Sequence, residues 1–462
     1  MQHPEKLCRE LPYHQRTRTA RQNHTGFLTS GKALRVGSAY DLWGACVLYE
    51  ARRKRRKKNL LGRWNVVLSA RKLIFLGSVT HGIVHAFTQL HIVLLPVFLK
   101  EFGMTILQAG LIVSLGSLVE MIMGIPSGIM GDRYRHLPLI ACFMLLGMGG
   151  ILQTQVGNFY MLAAVICLIH MCSALYHYPY MAILSRQIPE NDIGKAFGLH
   201  GAGATVGNAL GPMSLGLIMA ALFGWRVAYA IWSIPAFIAV LILIRAFRGY
   251  EYSFVSDREK KKGDSASSKA DSRLRSILNR DFLVIMSAAG IRSLATRSVI
   301  IFLSVYFVTI RGLSISESSF IIGLGALVGT VGISAGGFLS DMSGQKTWLT
   351  IAYLSQALSL LALVFSPTRT WAVLSFFLHN FFSSGGSAAV DSVVSVSSPM
   401  SRRGLAFALF YTPFDVMSAV SPTIAAVLVE ALGLWYLFPF ASMLCILSIF
   451  PVRMISSRQS SK

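Results

Sequence analysis

The chain has 462 residues, of which 53% are hydrophobic and only 14% charged, and it carries a formal net charge of +23. Roughly a quarter of the residues of a soluble globular domain are charged, so this composition excludes an ordinary water-soluble fold and points to lipid. The positive charge is no argument for nucleic acid, because Lys and Arg gathered in alternate short loops set membrane orientation instead.

Residues 1–70 hold no run long enough to span a bilayer. The apolar stretch over 42–49 is short and leads into Arg52, Arg53, Lys54, Arg55, Arg56, Lys57 and Lys58. This composition predicts a disordered, basic cytoplasmic tail, and anionic lipid would attract it by about 1 kcal/mol per residue.

A helix needs about 20 mostly apolar residues to cross a hydrocarbon core of about 30 Å. Such runs cover 73–98, 107–130, 137–156, 159–184, 196–223 and 227–244. A polar break follows over 246–280, with Lys260, Lys261 and Lys262 leading into Gly, Asp and Ser, a composition that cannot bury a core. Six more runs cover 282–308, 320–339, 348–365, 371–394, 405–429 and 434–452.

Cations recur at Arg133, Arg135, Arg186, Lys195, Lys346, Arg402, Arg403 and Arg453, whereas the intervening loops hold mostly single ones, Lys100, Arg226, Arg311 and Arg369. That alternation places both termini and the long loop in the cytoplasm. The expected architecture is therefore an all-α, multi-pass protein of the inner or plasma membrane. It has twelve spans, as a six-helix bundle over 71–245, a linker over 246–280, a second bundle over 281–453 and a tail over 454–462. The cysteines show no CxxC or metal spacing, and Cys142, Cys167, Cys172 and Cys445 lie inside apolar runs, so no disulfide framework is expected.

The two bundles read as a duplication. Gly128 and Asp132 recur 209 residues later as Gly337 and Asp341; Pro189, Gly194 and Pro212 recur 210 residues later as Pro399, Gly404 and Pro422. Parallel repeats of this kind put a substrate site at the interface between halves.

The turn after the second span, Gly128, Asp132, Arg133 with Arg135, and the turn after the eighth, Gly337, Asp341, Gly344 and Lys346, both resemble motif A of the major facilitator superfamily. The resemblance implies a cytoplasmic gate that latches the halves. The second copy keeps the turn glycine; the first carries Arg135 there. In the fifth span Gly198, Gly207, Gly211, Pro212 and Gly216 resemble the family's antiporter motif C, with Leu215 in place of one glycine. Small residues on one face let helices approach closely and proline bends them, so ordinary packing accounts for this pattern too. The strings around His177, Tyr178 and Pro179 and from Ala196 to Gly203 resemble fosmidomycin-resistance-type exporters.

Charged groups at mid-bilayer cost about 2.5 to 3.5 kcal/mol on insertion scales, so each one inside a span is a candidate for function. Arg292 and Arg297 sit about 15 and 22 Å into the seventh span at 1.5 Å per residue, about 140° apart around the helix. A guanidinium binds carboxylate or phosphate with paired hydrogen bonds, which predicts an anionic solute. The competing expectation is a structural ion pair with Glu120, Asp391 or Asp415. His81, His85 and Gln89 form a stripe on the first span, and His170 and His177 share a face of the fourth, with Asn380 as the repeat partner of His170 in the tenth. Family architecture lines the cavity with spans one, four, seven and ten. Two His at i, i+4 are also zinc-like spacing, but spacing alone supplies no third ligand, so no metal is predicted.

Glu120, Asp391 and Asp415 are the acids available for proton coupling. No nucleotide loop, metal spacing or nucleophile elbow points to an enzyme or a cofactor. The expected function is a monomeric, alternating-access secondary transporter that moves a small, anionic organic solute or drug, driven by a proton gradient. Import or exchange of a carboxylate, phosphate ester or sugar conjugate is the first alternative. A transporter-like receptor that moves nothing is the second, and the insertion cost of retained charges argues against it.

Overall fold

The computed structural model describes residues 69–188, 192–221, 223–248, 278–397 and 403–455, with no side-chain description for 193, 194, 395–408 and 411. The expected basic tail, most of the linker, Pro189, Pro399 and Arg402 lie outside the described residues.

Every described element is helical. The first set is α1 (Ala70–Val93), α2 (Leu95–Glu101), α3 (Ile106–Tyr134), α4 (Leu137–Gln153), α5 (Phe159–Gln187), α6 (Ile193–Ala220) and α7 (Trp225–Phe247). The second is α8 (Arg280–Thr309), α9 (Ile315–Ser343), α10 (Gln345–Val364), α11 (Arg369–Ser397), α12 (Arg403–Leu432), a 3-10 turn (Leu434–Tyr436), α13 (Leu437–Leu447) and α14 (Ile449–Arg453). The first expected run is split at Leu94, just before Pro96, and the last at Ser448, three residues before Pro451. Joining α1 with α2 and α13 with α14 leaves six apolar segments in each set. Nine helices among the described residues have the length and apolarity to cross a membrane, and Leu137–Gln153 is a shorter apolar one.

The repeat extends to the residues that start helices. An N-cap side chain accepts an otherwise unpaired backbone N–H of the first turn. Ser69 caps α1 and Asn279, 210 residues on, caps α8. Thr105 with Gln108 forms a capping box on α3, and Ser314 with Glu317 forms the same box on α9, 209 residues on. Asn158 caps α5, and Thr368 accepts from Trp371 N–H at the start of α11, again 210 residues apart.

Helix-to-helix distance is set by glycine. Along α6, Gly203, Gly207 and Gly211 lie against the backbone of Ser78, Gly82 and Ala86 of α1, with no room for a Cβ at any of the three. Along α9, Gly325, Gly329, Gly332 and Gly336 face Phe376, Ser384, Phe381 and Gly385 of α11. The two sets meet near the C-terminal ends of α1 and α8. There Ser304 donates to the Val93 carbonyl at 2.6 Å, and Thr423 donates to Ser114 through both its N–H (3.2 Å) and its hydroxyl (2.7 Å). Gly216 lies against Ser316 and Phe320, and Gly110 against Pro422 and Ala426. At the opposite end Gly128 and Gly337, six residues before the ends of α3 and α9, have none of the other described residues within 4 Å of where a Cβ would stand.

Candidate functional site

Between the two sets lies a cavity of about 420 Å³ walled by α1, α6, α8, α9, α11 and α12. Gln89, Arg292, Arg297 and Asn380 stand on its wall, as do Thr205, Asn208, Thr296, His379, Ser383 and Ser387.

Arg292 is 4% exposed. Its Nη1 donates to the Ser383 carbonyl (3.2 Å) and hydroxyl (3.3 Å), its Nη2 to Ser387 Oγ at 2.9 Å, and its guanidinium lies 5.4 Å from the Tyr353 ring centre. Its Nε has no partner. Among the described residues no carboxylate lies within ion-pair distance of it, so the expected structural ion pair with Glu120, Asp391 or Asp415 is not made. Hydroxyls and a carbonyl orient this cation without neutralising it, and a buried charge left unneutralised is costly. Arg297, five residues on, is exposed to the space between the sets, in the electrostatic field of Glu120 and Asp415.

The histidines expected on the wall stand behind it. His81, His85 and His177 bring their Nε2 atoms together, 3.0 Å for His81 to His177, 3.1 Å for His81 to His85 and 3.3 Å for His85 to His177. The ring opposite His81 is His200 of α6, stacked at 4.0 Å between centres, and Tyr180 stacks on His200 in turn. His85 reaches the wall through Asn208, 3.1 Å away. The third nitrogen that linear spacing lacked is therefore present, because α5 crosses α1 at the level of the i, i+4 pair.

His170 pairs with Glu120 at 2.9 Å, and its Nε2 lies 3.5 Å from that of buried His91. Ser173 donates to the other Glu120 oxygen at 2.6 Å, so Glu120 is held on α5 within its own set. Asp415 lies in the field of Glu120, Arg297 and His177. Asp391 is not on the cavity wall: its neighbour Ser392 accepts from Gln345 beside the second motif A turn, which places this acid at the far end of α11.

The residues that resemble motif A occupy equivalent positions at the ends of α3 and α9. Arg135 caps the end of α3 at φ 60, and Gly344 caps the end of α9 at φ 81. Asp132 pairs with Arg186 of α5 in its own set, Arg133 lies over Tyr134, and Lys346 donates to the Ile455 carbonyl at 3.1 Å. Asp341 stands in the last turn of α9, exposed. The motif C-like residues divide: Gly207 and Gly211 pack on α1, Gly216 packs across the interface on α9, and Pro212 stays inside an unbroken α6. Gly198 faces open space, so the packing row begins instead at Gly203. Gly203 and His200 stand out in the sequence only as part of the exporter-like string, and Asn208, Thr296 and His379 do not stand out at all. The four-residue spacing Gly203, Gly207, Gly211 was the signal available for the first of them.

Two sets of six apolar helical segments around a cavity walled by two arginines, with repeated turns and caps, define a polytopic membrane transporter of the solute-carrying type. Residues 74–378 and 335–461 match the Major Facilitator Superfamily, and the chain belongs to that family. It is 28% identical over 234 residues to the probable galactarate/D-glucarate transporter GudP of Bacillus subtilis (strain 168), covering 46% of this chain and 51% of GudP, so this match spans about half the relative's length. It is 23% identical over 337 residues to the fosmidomycin resistance protein of Escherichia coli (strain K12), covering 72% of this chain and 80% of that protein. The fold is shared with a bacterial homologue of the human lysosomal transporter Spinster in an inward-facing, unoccupied conformation, at a TM-score of 0.69 and 15% identity over 84% of this chain and 95% of that one. A peptide transporter POT in complex with sulfate follows at 0.64 and 14%, over 83% and 94%.

Proposed function

We propose that the protein carries a small, hydroxylated organic anion through the cavity between its two sets of helices by alternating access, coupled to protons, with both termini in the cytoplasm. The observation that carries this reading is Arg292, a buried guanidinium on the cavity wall whose described partners are all neutral and whose Nε is unpartnered. An incoming carboxylate or phosphate supplies the missing countercharge through paired N–H donors. Arg297 offers a second cation, while Gln89, Asn208, Asn380 and Ser387 offer groups that hydrogen-bond hydroxyls. Galactarate and D-glucarate, named in one relative, are hydroxylated dicarboxylates of this chemistry. A wall that carries two guanidiniums favours them over an uncharged hydrophobic drug.

Asp415 is the acid assigned to proton movement, because it lies in the electrostatic field of Arg297 and an anion bound to Arg297 weakens that attraction. Rocking of the halves then exposes cavity and acid to each side in turn.

The test is reconstitution in liposomes with an internal pH dye and a panel of hydroxylated dicarboxylates, sugar phosphates, neutral sugars and cationic drugs. Wild-type protein is expected to move protons with the organic anions alone, and the sign of the change gives the direction. Arg292→Ala is expected to weaken anion transport at least about 30-fold, the loss of a buried charge pair worth about 2 kcal/mol or more, with insertion intact. Asp415→Asn is expected to keep anion binding and lose the pH signal. Normal anion transport by Arg292→Ala would overturn the reading.

A further inference from the structure

The three converging histidines are not needed by the anion cavity, and their geometry asks for an explanation of its own. Each ring has one nitrogen committed elsewhere. His81 Nδ1 lies 2.9 Å from the His200 carbonyl, His177 Nδ1 2.8 Å from the Ser173 carbonyl, and His85 Nδ1 3.1 Å from Asn208 Oδ1. Carbonyl oxygens only accept, so these contacts place the proton on Nδ1 of each ring. All three Nε2 atoms are then bare lone pairs, and they face one another at 3.0, 3.1 and 3.3 Å. Three lone pairs at that range repel unless a cation sits among them.

The triangle has the size a metal ion requires. Zinc binds imidazole nitrogen at about 2.0 to 2.1 Å in tetrahedral geometry, which separates neighbouring ligand nitrogens by about 3.3 Å. A point at that distance from all three Nε2 atoms lies about 1 Å off their plane, leaving a fourth position on one side. The Nδ1 contacts are the outer shell that metal-binding histidines show, fixing tautomer and ring orientation. These three residues also form a His, Cys, Asp or Glu group with metal-holding geometry among the described residues.

We propose that His81, His85 and His177 form a three-histidine site for one divalent transition metal ion of the zinc class. Imidazole ligands and four-coordination select zinc, or cobalt as its spectroscopic substitute, over magnesium or calcium, which take oxygen. The ligands come from α1 and α5, both in the first set, so the ion clamps those two helices and stays in place while the sets move relative to each other. It is a resident ion rather than cargo: His81 is 7% exposed and roofed by the stacked His200 ring.

The experiment uses full-length, tag-free protein in detergent, stripped with chelator and titrated with Co²⁺ and with Zn²⁺. One tightly bound ion per chain is expected, with the intense visible absorption of four-coordinate Co²⁺. His85→Ala and His177→Ala should each abolish both. Asn208→Ala removes only the acceptor that orients His85 and should weaken binding 10- to 100-fold, a loss typical of outer-shell changes. His170→Ala, a neighbouring intramembrane histidine outside the triad, should leave the stoichiometry at one. Because a triad variant that misfolds would also lose metal, X-ray absorption on the zinc-loaded wild type provides a second readout. Three nitrogens at about 2.0 to 2.1 Å are expected in its first shell. Absence of a stoichiometric ion, an oxygen-dominated shell, or full binding by folded His177→Ala would each overturn the site.

Discussion

Arg135 stands where Gly344 stands in the second motif A turn, and both adopt positive φ. Arg135 at φ 60, ψ −113 holds a backbone conformation in which a Cβ is crowded, a strain of about 1 to 3 kcal/mol, while glycine bears none of it. Arg135→Gly is therefore expected to stabilise the protein by about 1 kcal/mol after the added flexibility of glycine in the unfolded chain is counted. Arg135→Ala keeps the Cβ and should bring no such gain. Thermal unfolding of the two variants in detergent separates relief of strain from loss of charge; equal effects would show that the turn is unstrained. The departure from motif A was legible in the sequence, because the neighbouring Gly and Asp fixed the register. The positive φ was legible only by analogy with the second copy. The histidine cluster was half legible. His81 and His85 share a stripe by helical period, but His177 and His200 join them across 96 and 119 residues of chain, which no local spacing encodes.

At the scale of helices, the close approach of α1 and α6 depends on three glycines and not on the motif C pattern as a whole. Gly207 meets the Gly82 backbone, so even a methyl group forces the helices apart; Gly207→Ala should cost about 1 to 3 kcal/mol. Gly198 sits in the same helix facing open space, and Gly198→Ala should stay within about 0.5 kcal/mol of wild type or be slightly stabilising. Comparing unfolding midpoints of the pair tests whether the row is Gly203, Gly207, Gly211; matched behaviour would return the role to the motif. Helix number and approximate position were readable from apolar run length, and the caps from Ser, Thr and Asn at run starts. What runs could not show were the breaks at Leu94 and Ser448 and the depth of Asp391. A polar residue inside an apolar run carries no mark of which end of a tilted helix it occupies until its neighbours are known, here Ser392 bonded to Gln345.

For the whole molecule, the two sets of helices are apposed near the C-terminal ends of α1 and α8. Alternating access requires the apposed end to part while the other closes. Among the described residues the contacts that hold it are hydroxyl hydrogen bonds and glycine-lined packing, each worth about 1 kcal/mol net, which suits an interface that opens. Ser114 on α3 and Thr423 on α12 put their hydroxyls 2.7 Å apart across that boundary, near enough for a disulfide when both are cysteine. The double variant Ser114→Cys, Thr423→Cys should transport when reduced. Oxidation should bring transport to background, and reductant should restore it, while either single variant is indifferent to oxidant. Anion binding should survive the cross-link, because neither Ser114 nor Thr423 stands on the cavity wall. Transport that continues in fully cross-linked protein would mean that the halves do not part there, and that the solute leaves by another route.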